Sequence, residues 1–136
     1  MNRIYEELES SVVLAPASVN SATETTTDYV SGAKFDSIDF HVQLASLPDT
    51  KILSVALYAA DDASGTNAVK VGETTFTASG ALTKVLAVVS ADVAGDRKPY
   101  YGVKFQHDAG SPVICAVSAH GRTIYGPAAN ARVLTL

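Results

Sequence analysis

The stretch Tyr100–Gly121, YYGVKFQHDAGSPVICAVSAHG, restricts the fold more than any other part of the chain. Tyr101, Val103 and Phe105 fall on one face of an extended backbone, and so do Val113, Cys115, Val117 and Ala119. A period of two belongs to a half-buried strand and not to a helix. Asp108, Gly110 and Pro112 interrupt the alternation, so the stretch reads as two strands joined by a tight turn at His107–Pro112. The expected unit is a β-hairpin with the remaining strands arranged around it.

Ser37–Leu44 alternates in the same way, with Ile38, Phe40, Val42 and Leu44 inward and Asp39, His41 and Gln43 outward. A Pro48–Asp49 turn leads to Ile52–Ala60, whose buried face carries Leu53, Val55, Leu57 and Ala59. These two strands are either neighbours in one sheet or partners across two. Val69, Val71 and Phe76 belong to a less regular segment broken by Gly72, and Leu82–Val89 is a further apolar run. Thr25, Thr27 and Tyr29 share a face within Ser18–Val30, which suits an exposed or edge strand. About seven strands at short intervals, with no long helix, predict an all-β chain built as a β-sandwich or jelly roll.

The ends read differently. Ile4 and Leu8 lie four apart, which predicts a short helix that is ordered only by packing. Val12–Leu14 is a small apolar patch ended by Pro16, and GRTIYGPAANARVLTL closes the chain with Val133, Leu134 and Leu136 after a small-residue stretch. The division is an N-terminal arm over 1–17, a sandwich over 18–121, and a C-terminal segment over 122–136 that is disordered, a last core strand or an arm. Apolar residues outside the best core strands mark Ile4, Tyr5, Leu8, Val12 and Val13 at one end as candidate intersubunit contacts. Ile124, Tyr125, Val133, Leu134 and Leu136 are their counterparts at the other.

A chain of 136 residues buries roughly two thirds of its unfolded surface in one core. Hydrophobic residues make up 47% and charged residues only 18%, so some uncharged surface is expected to meet another protein. The net charge of -4, without a basic cluster, speaks against nucleic acid as a partner. Cys115, the one cysteine, reads as a buried small hydrophobe. Glu6, Glu7 and Glu9 stand where a signal peptide is apolar, and no run approaches the roughly 18 apolar residues of a membrane span. The expected site of synthesis is therefore the cytoplasm.

No residues are assigned to catalysis, to a cofactor or to a metal. His41, His107 and His120 lack metal-ligand spacing, and Asp61, Asp62, Ser64 and Asn67 read as Asx-turn chemistry because the calcium-loop glycine and closing glutamate are missing. His107, Asp108 and Ser111 have the residue types of a hydrolase relay, but neighbours on one tight turn do not reach one another in that order. Tyr58, Tyr100 and Tyr101 are the residues from which a carbohydrate platform would be built.

LSVALYAADDASGTNAV, followed by the aromatic stretch YYGVKFQHDAGSPVICAVSAHG, resembles the small β proteins encoded near the major capsid protein of tailed bacteriophages. The resemblance runs over Phe35–Gly121. It implies a non-enzymatic decoration or cement protein on the capsid surface of a virion, bridging capsid subunits. Its partners would be the major capsid protein and neighbouring copies of itself, as a dimer or trimer. A fibre-base or carbohydrate-binding module on the virion is the alternative.

Overall fold

The computed structural model describes residues 3–124 and 127–135. A single helical turn, α1 (Ile4–Glu7), opens the chain, with the Arg3 N–H donating to Glu6 Oε2 at 2.7 Å. Nine strands follow: β1 (Leu8–Val19), β2 (Thr25–Thr26), β3 (Val30–Ser31), β4 (Phe35–Leu47), β5 (Ile52–Ala60), β6 (Val69–Thr77), β7 (Leu82–Asp92), β8 (Tyr100–His107) and β9 (Val113–Thr123). They form two antiparallel sheets, ordered β1-β9-β4-β7 and β2-β8-β5-β6, with β3 also on β8. The chain is a β-sandwich, as the alternation predicts.

The inner faces carry the expected residues. Ile38, Phe40 and Val42 of β4 and Leu53 and Val55 of β5 meet Tyr101, Val103 and Phe105 of β8 and Cys115 and Val117 of β9 in one core. Cys115 is buried, and burial pushes its thiol up to about 11. The Asx-turn reading of the loop after β5 also holds: Asp62 Oδ1 accepts from the N–H groups of Ser64 at 2.9 Å and Thr66 at 3.2 Å. Among the described residues no cluster of three or more His, Cys, Asp or Glu could hold a metal ion.

The expected hairpin at Tyr100–Gly121 is instead a crossover. β8 lies between β2 and β5 in one sheet, whereas β9 lies between β1 and β4 in the other. Both strands turn an apolar face inward, and two such faces are satisfied equally by lying side by side or by closing on each other. β4 and β5 resolve the same way, into opposite sheets, while β5 and β6 form a true hairpin.

The ends are also redistributed. Residues 8–17, expected within an arm, belong to β1, which pairs with β9 from Leu8↔Arg122 to Val19↔Val113 through two irregularities. Val13 is 5% exposed and sits in the core, so it is not available for outside contact. His107, expected in a polar turn, is 1% exposed at the end of β8. Its Nε2 lies 2.7 Å from the Val19 carbonyl oxygen, and Nδ1 accepts from the Ala109 N–H at 3.2 Å, which ties β8 to β1 across the sandwich.

Candidate functional site

The outer face of the β1-β9-β4-β7 sheet departs most from a solvated surface. Residues directly opposite in antiparallel strands share a face. Register therefore places Val12, Ser118, His41 and Val88 in one row and Ala116, Gln43 and Leu86 in the next. Ile114 follows beyond them on β9. Val12 is 67% exposed, Leu86 57%, Val88 49% and Ile114 51%, although sheet neighbours flank each of them. An open depression of about 390 Å³ lies here, lined by Pro16, Gln43, Ala45, Leu86, Ile114 and Ala116, with Lys84 as its one charged residue.

Few charges interrupt this face. The next row is Ser10, His120, Asp39 and Ser90, and the Asp39 carboxylate accepts from Ser90 Oγ at 2.5 Å. The Asp36–Arg122 ion pair, at 2.8 Å, lies beyond it at one end of the sheet. At the centre, the His41 and His120 rings are 4.4 Å apart. His120 Nδ1 lies 2.8 Å from Ser10 Oγ and Nε2 lies 3.0 Å from Ser118 Oγ, so a neutral imidazole satisfies both hydroxyls, donating to one and accepting from the other. Burial holds the His120 pKa below the ordinary imidazole value, His41 lowers it further, and Asp39 acts in the opposite sense.

The two chain ends meet beside this row. Asn130 clamps the C-terminal segment to the N-terminal one: its Oδ1 accepts from the Ser10 N–H at 2.8 Å, and its Nδ2 donates to the carbonyls of Tyr5 at 2.8 Å and Leu8 at 3.0 Å. The Ala128 N–H donates to the Glu6 carbonyl at 2.8 Å. Ile4, Tyr5, Leu8, His120, Val133 and Leu134 consequently line one depression of about 570 Å³. Ile4 at 75% and Leu134 at 84% remain the most exposed large apolar side chains of the described chain.

Five of the ten sequence-predicted contact residues are thus gathered at one corner. Val12 stands on the adjoining sheet face, and Val13 lies in the core. Ile124 instead lines a polar depression with Glu6, Glu7, Asp36 and Arg122. Tyr125 and Leu136 lie outside the described residues. Sequence reading missed Leu86, Val88, Ile114 and the histidine pair. The available signal was that LTKVLAVV and VICAVS carry apolar residues at both parities, more than a strand with one wet face requires.

The other candidates have structural duties. Asp108 Oδ1 accepts from the Ile52 N–H at 2.6 Å, and the buried His107 holds backbone groups, so the two do not form a relay with Ser111. Tyr101 is fully buried, whereas Lys104 Nζ sits 4.4 Å from the centre of the Tyr58 ring, so the three tyrosines do not make one platform.

No protein-family model matches the chain, and a search of curated proteins finds no match. Among solved structures, a chain from "Structure of infectious bursal disease virus Gt strain" aligns at 11% identity with a TM-score of 0.25, covering 83% of this chain. The alignment spans 39% of that viral chain's own length. So loose an overlap does not establish a common topology. No helix among the described residues is long and apolar enough to cross a membrane.

Proposed function

We propose that the chain is a non-enzymatic structural protein of a virus particle. In this reading it seats the outer face of the β1-β9-β4-β7 sheet, with Ile4, Tyr5 and Leu8 of the adjoining N-terminal segment, on the major capsid protein and bridges capsid subunits at the capsid surface. The observation that carries the proposal is the run of Val12, Leu86, Val88 and Ile114, each about half-exposed or more, on a face whose central rows hold one charged side chain, Asp39. Completing the burial of each aliphatic group is worth roughly 1 kcal/mol, and the same small gain recurs at every copy on a shell. The sandwich supplies a rigid platform, and the resemblance of Phe35–Gly121 to capsid-associated phage proteins supplies the class of partner.

The test is co-sedimentation of the purified chain with capsid shells that lack it, at low and high salt. Saturable binding that persists in high salt is expected, because the face is apolar and not an array of exposed ion pairs. The double variant Leu86→Glu, Val88→Glu is expected to weaken binding at least about tenfold, with folding stability within about 0.5 kcal/mol of the parent. Undiminished binding by a folded double variant, or no binding of the parent chain to either immature or expanded shells, would refute the proposal.

A further inference from the structure

The flank formed by β6 and β7 is open. The two strands are consecutive in sequence but sit at the edges of opposite sheets. Register places Phe76, Thr74 and Gly72 of β6 opposite Leu53, Val55 and Leu57, and therefore on the core side of their sheet. Yet every residue of β6 is exposed, including Phe76 at 42%, and Val69, opposite the buried Ala59, is 54% exposed. An opening of about 430 Å³ lies between the strands, with Val55 and Leu57 on one side, Val89 and Ala91 on the other, and Glu73, Asp92 and Arg97 beside them.

The opposite flank is closed by contrast. Along β1 the Ser10 N–H is met by Asn130, and the Val13 carbonyl accepts from the Asp28 N–H at 2.9 Å. Among the described residues no loop or terminal segment makes such bonds to β6, and the loop after β7 reaches that strand only at its last residue, where Arg97 Nη1 donates to the Asp92 carbonyl at 2.9 Å. An uncovered edge beside an apolar opening has the chemistry that accepts an added strand.

One segment of the chain complements that opening. After the Asn130 clamp, Ala131, Arg132, Val133, Leu134 and Thr135 are all exposed and belong to no helix or strand. In an extended conformation Val133 and Leu134 point to opposite faces, so one enters the opening while the other lies outside. Among the described residues neither Arg132 nor Asp92 has an ion-pair partner. The clamp holds this segment on the β1 side of a sheet whose far edge is β7. Donor and acceptor therefore lie on opposite flanks, an arrangement that joins one copy to the next and not a chain to itself.

We propose that the β6–β7 opening accepts the C-terminal segment of a second copy, which adds as a strand along β6 with its Arg132 beside Asp92 of the accepting copy. The proposal rests on reading the chain as an assembly protein, and it names the contact between neighbouring copies. The test is sedimentation velocity of the full chain over a concentration series, with Arg132→Glu, Asp92→Arg and the double variant. Self-association is expected, weakened about fivefold by each single reversal and restored in the double variant. A chain that stays monomeric throughout the series, or association indifferent to both reversals, overturns the proposal. Association that survives the single reversals but is lost with a Thr74→Pro change in β6 would point to direct β6–β6 pairing and would also overturn it. Shell co-sedimentation run in parallel separates the two readings, since a monomeric chain that still binds shells removes the strand-addition contact alone.

Discussion

Replacing His107 by leucine tests how the two sheets are held in register. The imidazole is 1% exposed and satisfies two backbone groups at once, the Val19 carbonyl at 2.7 Å and the Ala109 N–H at 3.2 Å. Because Nδ1 accepts from Ala109, the ring proton lies on Nε2 and is donated to Val19. Leucine nearly keeps the volume but leaves both groups unpaired in a site where Val19 is 7% exposed and Ala109 1%. Each orphaned buried group costs about 1–3 kcal/mol, so the pair costs about 2–6 kcal/mol. Total stability for a domain is only about 5–15 kcal/mol, which makes the loss a large fraction of it. With a urea m-value of about 1.5 kcal/mol/M, the unfolding midpoint falls by roughly 1.3–4 M. His107→Gln, whose carboxamide nitrogen can still donate toward Val19, is expected to retain part of the loss. A leucine variant whose midpoint matches the parent at equal m-value would refute this account of the crossover.

Further outcomes follow from two other sites. A Cβ at Gly121 would lie 2.7 Å from three atoms of the Phe35 ring, so Gly121→Ala is expected to cost about 1–3 kcal/mol in thermal or urea unfolding, with Phe35→Leu in the same chain recovering part of it. At His120 the folded pKa lies below the unfolded value near 6.5, so the unfolded chain takes up its proton first as pH falls. The contribution is fully present above about pH 6.5 and is lost as the pH drops toward the folded pKa. The melting temperature is therefore expected to fall between pH 7.5 and 5, less steeply in His120→Gln. An identical slope in that variant would remove the histidine pair as a cause.

The inward faces were legible because alternation records them directly. Ile38, Phe40, Val42 and Leu44 on β4, and Tyr101, Val103 and Phe105 on β8, lie in the core where period two places them. The terminal helix, the Pro48–Asp49 turn and the buried Cys115 were equally local, since each depends on residues a few positions apart. The five apolar residues of the terminal corner were visible as a composition, although their meeting place was not.

What local pattern leaves open is which faces meet and which edges stay bare. The residues of β8 and β9 alternate alike whether the strands pair or oppose, and only closure of the whole core sends them to different sheets. Sheet order likewise brings His41 and His120 together from positions 79 apart in sequence. It also sets Gly121 under the Phe35 ring and leaves Phe76 uncovered at an open flank. Period and turn chemistry determine that this chain makes strands with one dry face, because those signals act over a few residues. The distribution of the strands between two sheets, and with it the apolar outer surface and the unfilled edge, is decided by long-range packing that minimises exposed apolar area over the entire molecule.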